Sequence, residues 1–170
     1  IISLVSALLL LASGCTRIAV EPAAQAVPGS AAGPGQAAVT LRVCLLKDQG
    51  ISCEQAKTIL SALQREMSQN GIELVVPWMR DWKRPGFFEK EITYALAANP
   101  LEAPCDRILA LVGRNVKDFA WGLLMPEILG SVEAVSHTKG YVVAEVGSFN
   151  QVLTFQSPAD SAVHELYHML

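Results

Sequence analysis

His164-Glu165-Leu166-Tyr167-His168 is the most informative segment of this chain. In a helix, residues four positions apart lie on one face, so both imidazoles would point at the same place, with Glu165 beside them. Two histidines at this spacing, with a glutamate after the first, are typical of a helical zinc site in which the glutamate acts as a base. The segment therefore predicts His164 and His168 as metal ligands and Glu165 as the catalytic residue.

The residues before this segment predict the start of a helix. Ser157 is a favourable N-cap, Pro158 a favourable first residue, and Asp160 can complete a capping box. From Ser161 to Leu170, Glu165 is the only Asp, Glu, Lys or Arg, which is typical of a helix buried in a domain. The alternative is an ordinary helix that carries two surface histidines.

The His164–His168 segment resembles the H-E-x-x-H motif of the zincin metallopeptidases. The resemblance implies Zn²⁺ as cofactor and a peptide or protein as substrate, hydrolysed by a zinc-activated water with Glu165 as general base. It also implies a third zinc ligand beyond Leu170, and hence a C-terminally truncated domain. A glycine after Leu170, followed three residues later by His or Asp, would indicate a metzincin; a Glu ligand on a second helix would indicate a gluzincin.

From Val39 to Gly113, the spacing of hydrophobic residues is alternately typical of strands and of helices. We expect strand, helix, strand, helix and strand, which favours parallel pairing through crossover connections. The ranges are Val39–Leu46, a helix capped at Ser52 and ending at Asn70-Gly71, Ile72–Trp78, Phe88–Ala98 and Arg107–Val112.

Beyond Gly113 the pattern predicts two short strands joined by a turn. The strands are Ser131–Ser136 and Tyr141–Val146, and the turn at residues 137–140 would leave His137 exposed. This order resembles the zincin N-terminal half, and implies an α/β (α+β zincin-like) fold: a twisted, mostly parallel sheet with an antiparallel edge strand, crossover helices and a C-terminal active-site helix. In such enzymes the edge strand pairs with extended substrate, a role that falls here to Ser131, Val132, Glu133, Ala134, Val135 and Ser136.

The first residues predict an exported protein. Residues 1–12 form an almost uninterrupted apolar run that is too short to span a bilayer comfortably. Small residues follow it, so residues 1–14 are typical of a signal peptide. Leu11–Cys15 resembles the lipobox of bacterial lipoproteins, which implies acylation of Cys15 and a membrane anchor. The alternative is an ordinary secretory signal that is cleaved nearby.

Residues 15–38 predict a flexible tether, because a segment of mostly Ala, Pro and Gly cannot bury a core. Residues 39–170 then form the N-terminal part of the zincin-like domain. We therefore expect a protein of the bacterial cell envelope, lipid-anchored to a membrane and facing the periplasm or the exterior.

Export permits disulfide bonds. Cys44 and Cys53 flank the predicted turn between the first strand and helix, and one expectation is that they pair. The alternatives are that a cysteine pairs with one beyond Leu170 or stays free, and that Cys44, Cys53 and Cys105 are all small buried hydrophobes.

The overall charge excludes a typical nucleic-acid-binding protein. The net charge is −3 and the isoelectric point about 5.6, without the basic surplus that such proteins carry. Arg80, Trp82, Lys83 and Arg84 are therefore expected in a solvated loop with packed tryptophans.

Two functions remain open from the sequence. The first is a membrane-tethered zinc peptidase, and the second is a non-catalytic envelope lipoprotein, a binding module on a degenerate zincin fold. Cleavage specificity, and endopeptidase versus exopeptidase action, depend on residues after the predicted active-site helix.

Overall fold

A computed structural model describes residues 39–114, 128–145 and 157–170. These ranges contain six strands and three helices. The strands are β1 Val39–Asp48, β2 Ile72–Val75, β3 Met79–Trp82, β4 Arg107–Val112, β5 Gly130–Val132 and β6 Lys139–Val143; the helices are α1 Cys53–Gln69, α2 Glu89–Ala98 and α3 Pro158–His168.

The strands form a single mixed sheet in the order β2-β1-β4-β6-β5, with β3 also paired to β1. β2, β3 and β4 run parallel to β1, and β6 runs parallel to β4. Only β5, at the edge, is antiparallel to its described neighbour β6. The predicted fold class, a mostly parallel sheet with an antiparallel edge strand and helices, is confirmed.

β2 and β3 lie one after the other along the same side of β1. Val39 pairs with Ile72, and Leu45 pairs with Met79. Between these two pairs, the segment that carries β2 and β3 has one residue more than β1. Pro77 lies in this segment and has no N–H to donate to a sheet. The predicted single strand Ile72–Trp78 is therefore wrong at its end, and Met79–Trp82 is a strand and not the expected loop.

Helices cover both faces of the sheet. On one face, α1 and α3 pack with inward residues of the central strands, and the shared core includes Leu45, Leu109, Leu63 and Leu166. On the other face, α2 packs through Ile92 and Leu96, with Trp78 and Trp82 partly buried beside the same core. The expected packing of the tryptophans is confirmed, and a sheet covered on both faces accounts for the apolar run Ile108–Val112 of β4.

A lysine on β6 stabilises the end of α2. Lys139 is 9% exposed, and its Nζ donates to the carbonyl oxygens of Ala97 at 2.8 Å and Asn99 at 2.5 Å. The last carbonyls of a helix have no partner within the helix and carry partial negative charge. The buried Lys139 side chain therefore links the C-terminal end of α2 to β6.

The predicted disulfide between Cys44 and Cys53 is wrong. Cys44 on β1 is bonded to Cys105, which lies just before β4, with 5.6 Å between their Cα atoms. Both cysteines are buried in the core that α2 covers. Because β1 and β4 are adjacent and parallel, the start of β4 lies beside Cys44, whereas Cys53 opens α1 after the far end of β1. Sequence proximity favoured the wrong partner.

The edge strand is shorter than predicted because a carboxylate closes the turn after it. Glu133 accepts hydrogen bonds from the backbone N–H groups of Val135 at 3.0 Å and Ser136 at 2.8 Å, and from the Ser136 hydroxyl. These bonds, with Ser136 Oγ the largest cause, lower the pKa of Glu133 to about 2. The predicted strand Ser131–Ser136 is thus wrong from Glu133 onward.

The remaining strand and turn predictions are only partly met. β6 begins at Lys139 and ends at Val143, so the predicted turn at 137–140 and strand Tyr141–Val146 were placed about two residues too late. His137 is exposed in the turn, as expected, with a φ of 54° that few non-glycine residues adopt.

Several predictions concern residues outside the described ranges. The signal peptide at 1–14, the lipidated Cys15 and the tether to residue 38 are among them, as is Val146. Within the described ranges, no helix is both long enough and apolar enough to cross a membrane.

Candidate metal centre and general base

Helix α3 begins where the sequence predicts. Ser157 is the N-cap, and its Oγ accepts a hydrogen bond from the Asp160 N–H at 3.1 Å. The Asp160 carboxylate in return accepts the Ser157 N–H at 3.1 Å, which completes the capping box, and Pro158 opens the helix. These bonds satisfy N–H groups that have no partner within the helix, so they fix its first turn and the phase of the residues that follow.

His164 and His168 are brought together on the exposed side of α3. Their Nε2 atoms lie 3.1 Å apart, and their ring centroids lie 4.6 Å apart with the planes at 81°. Both side chains are exposed, while Ala162, Leu166 and Met169 bury the opposite side of the helix. The structure therefore places the two predicted ligands at one accessible point, as the four-residue spacing requires.

The spacing of the two Nε2 atoms suits a shared zinc ion. Zinc binds imidazole nitrogen at about 2.0–2.1 Å with tetrahedral angles, which places two such nitrogens roughly 3.3 Å apart. The observed separation is 3.1 Å, close to this value. Two neutral imidazoles are also the donor type that zinc prefers. The pair fits two positions of a zinc site, although no group of three or more His, Cys, Asp or Glu in metal-binding arrangement occurs among the described residues.

Glu165 differs from the two histidines because it is buried, with 8% of its surface exposed. Burial raises the pKa of its carboxyl above the ordinary value; the imidazoles of His164 and His168 act in the opposite direction, and the carboxylate of Glu89 raises it further. The residue thus holds an acidic group between the exposed histidines and the sheet. Buried glutamate side chains are rare, and carboxyl groups with a shifted pKa are common at functional sites.

The Glu165 side chain lies against the backbone of the edge strand. A Cβ atom built on Gly130, the first residue of β5, would fall 2.5 Å from Glu165 Cγ and 2.7 Å from its Oε1. Such a close approach is available only because Gly130 has no side chain. The candidate base is therefore located between α3 and β5, the strand that forms one edge of the sheet.

Three hydrogen bonds hold the far end of α3. The Tyr167 hydroxyl donates to Glu66 Oε1 at 2.9 Å and accepts from Asn70 Nδ2 at 3.0 Å, which joins α3 to α1. Arg107, at the start of β4, donates through Nε to the carbonyl oxygen of Met169 at the helix C-cap. A cationic side chain at this end also complements the helix dipole. The histidine pair is carried on a helix fixed at both ends.

These supporting residues were not found from the sequence. Tyr167 occupies one of the unspecified positions of the motif. Arg107 lies 62 residues before Met169, and Gly130 lies 35 residues before Glu165. The one available signal was the glycine before a predicted strand, since glycine in a strand often marks close approach of another group.

Among solved structures, the chain is similar to archaemetzincin from Methanopyrus kandleri. The two are 15% identical, the match covers 76% of this chain and 73% of that chain, and the TM-score is 0.53. At this identity the likeness shows the fold alone: the chain shares the mixed α/β fold of that protein. No protein-family model matches the chain, and no curated protein matches it.

Proposed function

We propose that this protein is a zinc-dependent peptidase in which His164 and His168 are two of the zinc ligands and Glu165 is the general base. One observation carries the proposal: the Nε2 atoms of two exposed histidines lie 3.1 Å apart, and Glu165, directly after the first histidine, carries a buried carboxyl group. The zincin-like fold supports it, because the arrangement occurs on a helix packed against the sheet beside an antiparallel edge strand.

Each residue has a distinct task in the proposed reaction. Zinc, when bound, supplies Lewis acidity and lowers the pKa of water towards about 7. Glu165 would accept a proton from the attacking water on a carboxylate oxygen and deliver it to the nitrogen of the leaving amine. The Glu165 side chain packs against the backbone of Gly130 and is largely buried there. His164 and His168 would hold the zinc ion throughout.

The outer edge of β5 is the proposed binding strand for substrate. Ser131 and Val132 remain in the edge strand, whereas Glu133–Ser136 turn away and are not proposed to pair with substrate. An extended peptide would add its backbone hydrogen bonds to this edge. In a hydrolysis assay, N-methylation of a substrate amide that bonds to β5 should raise KM, and an unchanged KM at every methylated position would contradict the pairing.

The membrane anchor remains a proposal that the sequence of residues 1–38 alone supports. Acylation of Cys15 would hold the peptidase at the bacterial envelope, and residues 15–38 would give it reach. In the full-length protein, Cys15→Ser should move the protein from the membrane fraction to the soluble fraction. Equal membrane recovery of both forms would contradict the anchor.

Zinc content and peptide hydrolysis of the full-length protein test the proposed function. We expect about one zinc per chain, as in other three-ligand catalytic sites, and hydrolysis of peptides that stops after chelation and returns with added zinc. Folded protein with almost no zinc and no hydrolysis would support the rival function, a non-catalytic binding module on the same fold.

A further inference from the structure

Gly130 is closer to Glu165 than a side chain at that position would allow. Its added Cβ would lie 2.5 Å from Cγ, 2.7 Å from Oε1 and 2.8 Å from Cδ of Glu165. Carbon atoms in contact normally lie about 3.5–4.0 Å apart, so Glu165 would have to move by roughly 1 Å. Cγ is near the root of the side chain, and its displacement requires a change of rotamer or a shift of α3 from β5.

Backbone conformation does not explain a glycine at this position. The described glycines with positive φ are Gly71 and Gly86, and Gly130 is not among them. The backbone of Gly130 therefore does not require glycine, and the nearest obstacle to a side chain there is Glu165. Glycine is required at residue 130 because a side chain there would collide with the side chain of Glu165.

We propose that Gly130 is a positioning residue for the general base. The inference rests on the proposed function, since it assigns the role that Gly130 has in that same site. Because Gly130 has no side chain, Glu165 packs directly against the backbone of β5. There it is buried and next to the two exposed histidines. The three atoms nearest to a Cβ on residue 130 all belong to Glu165, so a side chain there displaces the base before it affects His164 or His168.

Gly130→Ala in the full-length, zinc-loaded protein tests this role. Displacement of a reacting group by about 1 Å reduces turnover by roughly 100-fold, so kcat should fall by about 10- to 100-fold. KM should stay within about 3-fold, and zinc content should be unchanged. Gly50→Ala is the matched control, because a Cβ on Gly50 would have no neighbour within 4 Å. This control should keep full kcat.

A second comparison isolates the contact even if Gly130→Ala folds poorly. The substitution should lower the melting temperature by roughly 3–10 °C when Glu165 is present, because the added methyl group overpacks the site. In a Glu165→Ala background the obstructing atoms are gone, and Gly130→Ala should then change the melting temperature by less than about 1 °C.

Two results would overturn the role of Gly130. One is wild-type kcat in Gly130→Ala, and the other is an equal fall in melting temperature in both backgrounds. An inactive wild-type protein with a full zinc complement would instead overturn the proposed function. The thermal comparison would in that case still decide whether Gly130 sets the position of Glu165.

Discussion

Glu165→Gln is expected to abolish peptide hydrolysis while zinc binding and folding are retained. Glutamine has nearly the same shape, so the contact with Gly130 and the position of α3 are preserved. It cannot accept a proton from water at neutral pH, and loss of a general base typically reduces the rate by about 10²- to 10⁴-fold. Burial already disfavours the charged carboxylate, so removing the charge should not lower the melting temperature.

The measurement is kcat for a peptide substrate, taken together with zinc content and melting temperature. Glu102→Gln is a suitable control because this carboxylate is exposed in the loop between α2 and β4. The control should match the wild-type protein in all three quantities. Hydrolysis by Glu165→Gln at the wild-type rate would remove Glu165 from its catalytic role, whatever the zinc content.

Replacement of His164 or His168 by alanine is expected to abolish zinc binding at neutral pH, and with it hydrolysis. Each histidine would supply one of only three protein ligands in a catalytic zinc site. Changes to residues outside the ligand set typically weaken metal binding by 10- to 100-fold, so loss of a ligand should weaken it by more than about 100-fold. Because both side chains are exposed, the fold should be retained.

The chain contains its own control for this prediction. His137 is the third histidine, it is exposed in the turn after β5, and it lies outside the pair on α3. His137→Asn is the appropriate variant, since asparagine tolerates the positive φ of this residue better than most others. Zinc titration should give the wild-type affinity for His137→Asn. The same affinity in His164→Ala or His168→Ala would place the metal elsewhere.

Local sequence signals predicted the regular parts of the fold well. The helices at Cys53–Gln69 and Pro158–His168 begin at serine residues whose capping boxes form as expected. β4 matches its predicted range, Arg107–Val112, because its apolar run Ile108–Val112 suits a strand buried on both faces. Features set by hydrogen bonds and periodicity within about twenty residues are available to sequence reasoning.

Features that depend on contacts between residues distant in sequence could not be predicted in this way. The pairing of Cys44 with Cys105 depends on β4 lying beside β1, across 61 residues of sequence. The short edge strand depends on Glu133, whose carboxylate binds the backbone that a longer strand would need. A β-rich sequence predicts a strand there, but competition for backbone N–H groups determines where the strand ends.

The candidate site shows the same division. The four-residue spacing of His164 and His168 determines their separation, because both lie on one helix. The surroundings of Glu165 depend on Gly130 and on the packing of α3 against β5, for which the motif contains no information. The motif predicted which residues meet, and the tertiary structure determines that the base is buried while the ligands are accessible.

Anomalous diffraction at the zinc edge from crystals of the full-length, zinc-loaded protein tests the central claim most directly. We expect a zinc peak at about 2.0–2.1 Å from Nε2 of both His164 and His168. The Glu165 carboxylate should lie close to the metal without binding it. A zinc peak next to other residues, or no peak near the two histidines in crystals grown with zinc, would contradict the proposed zinc site at His164 and His168.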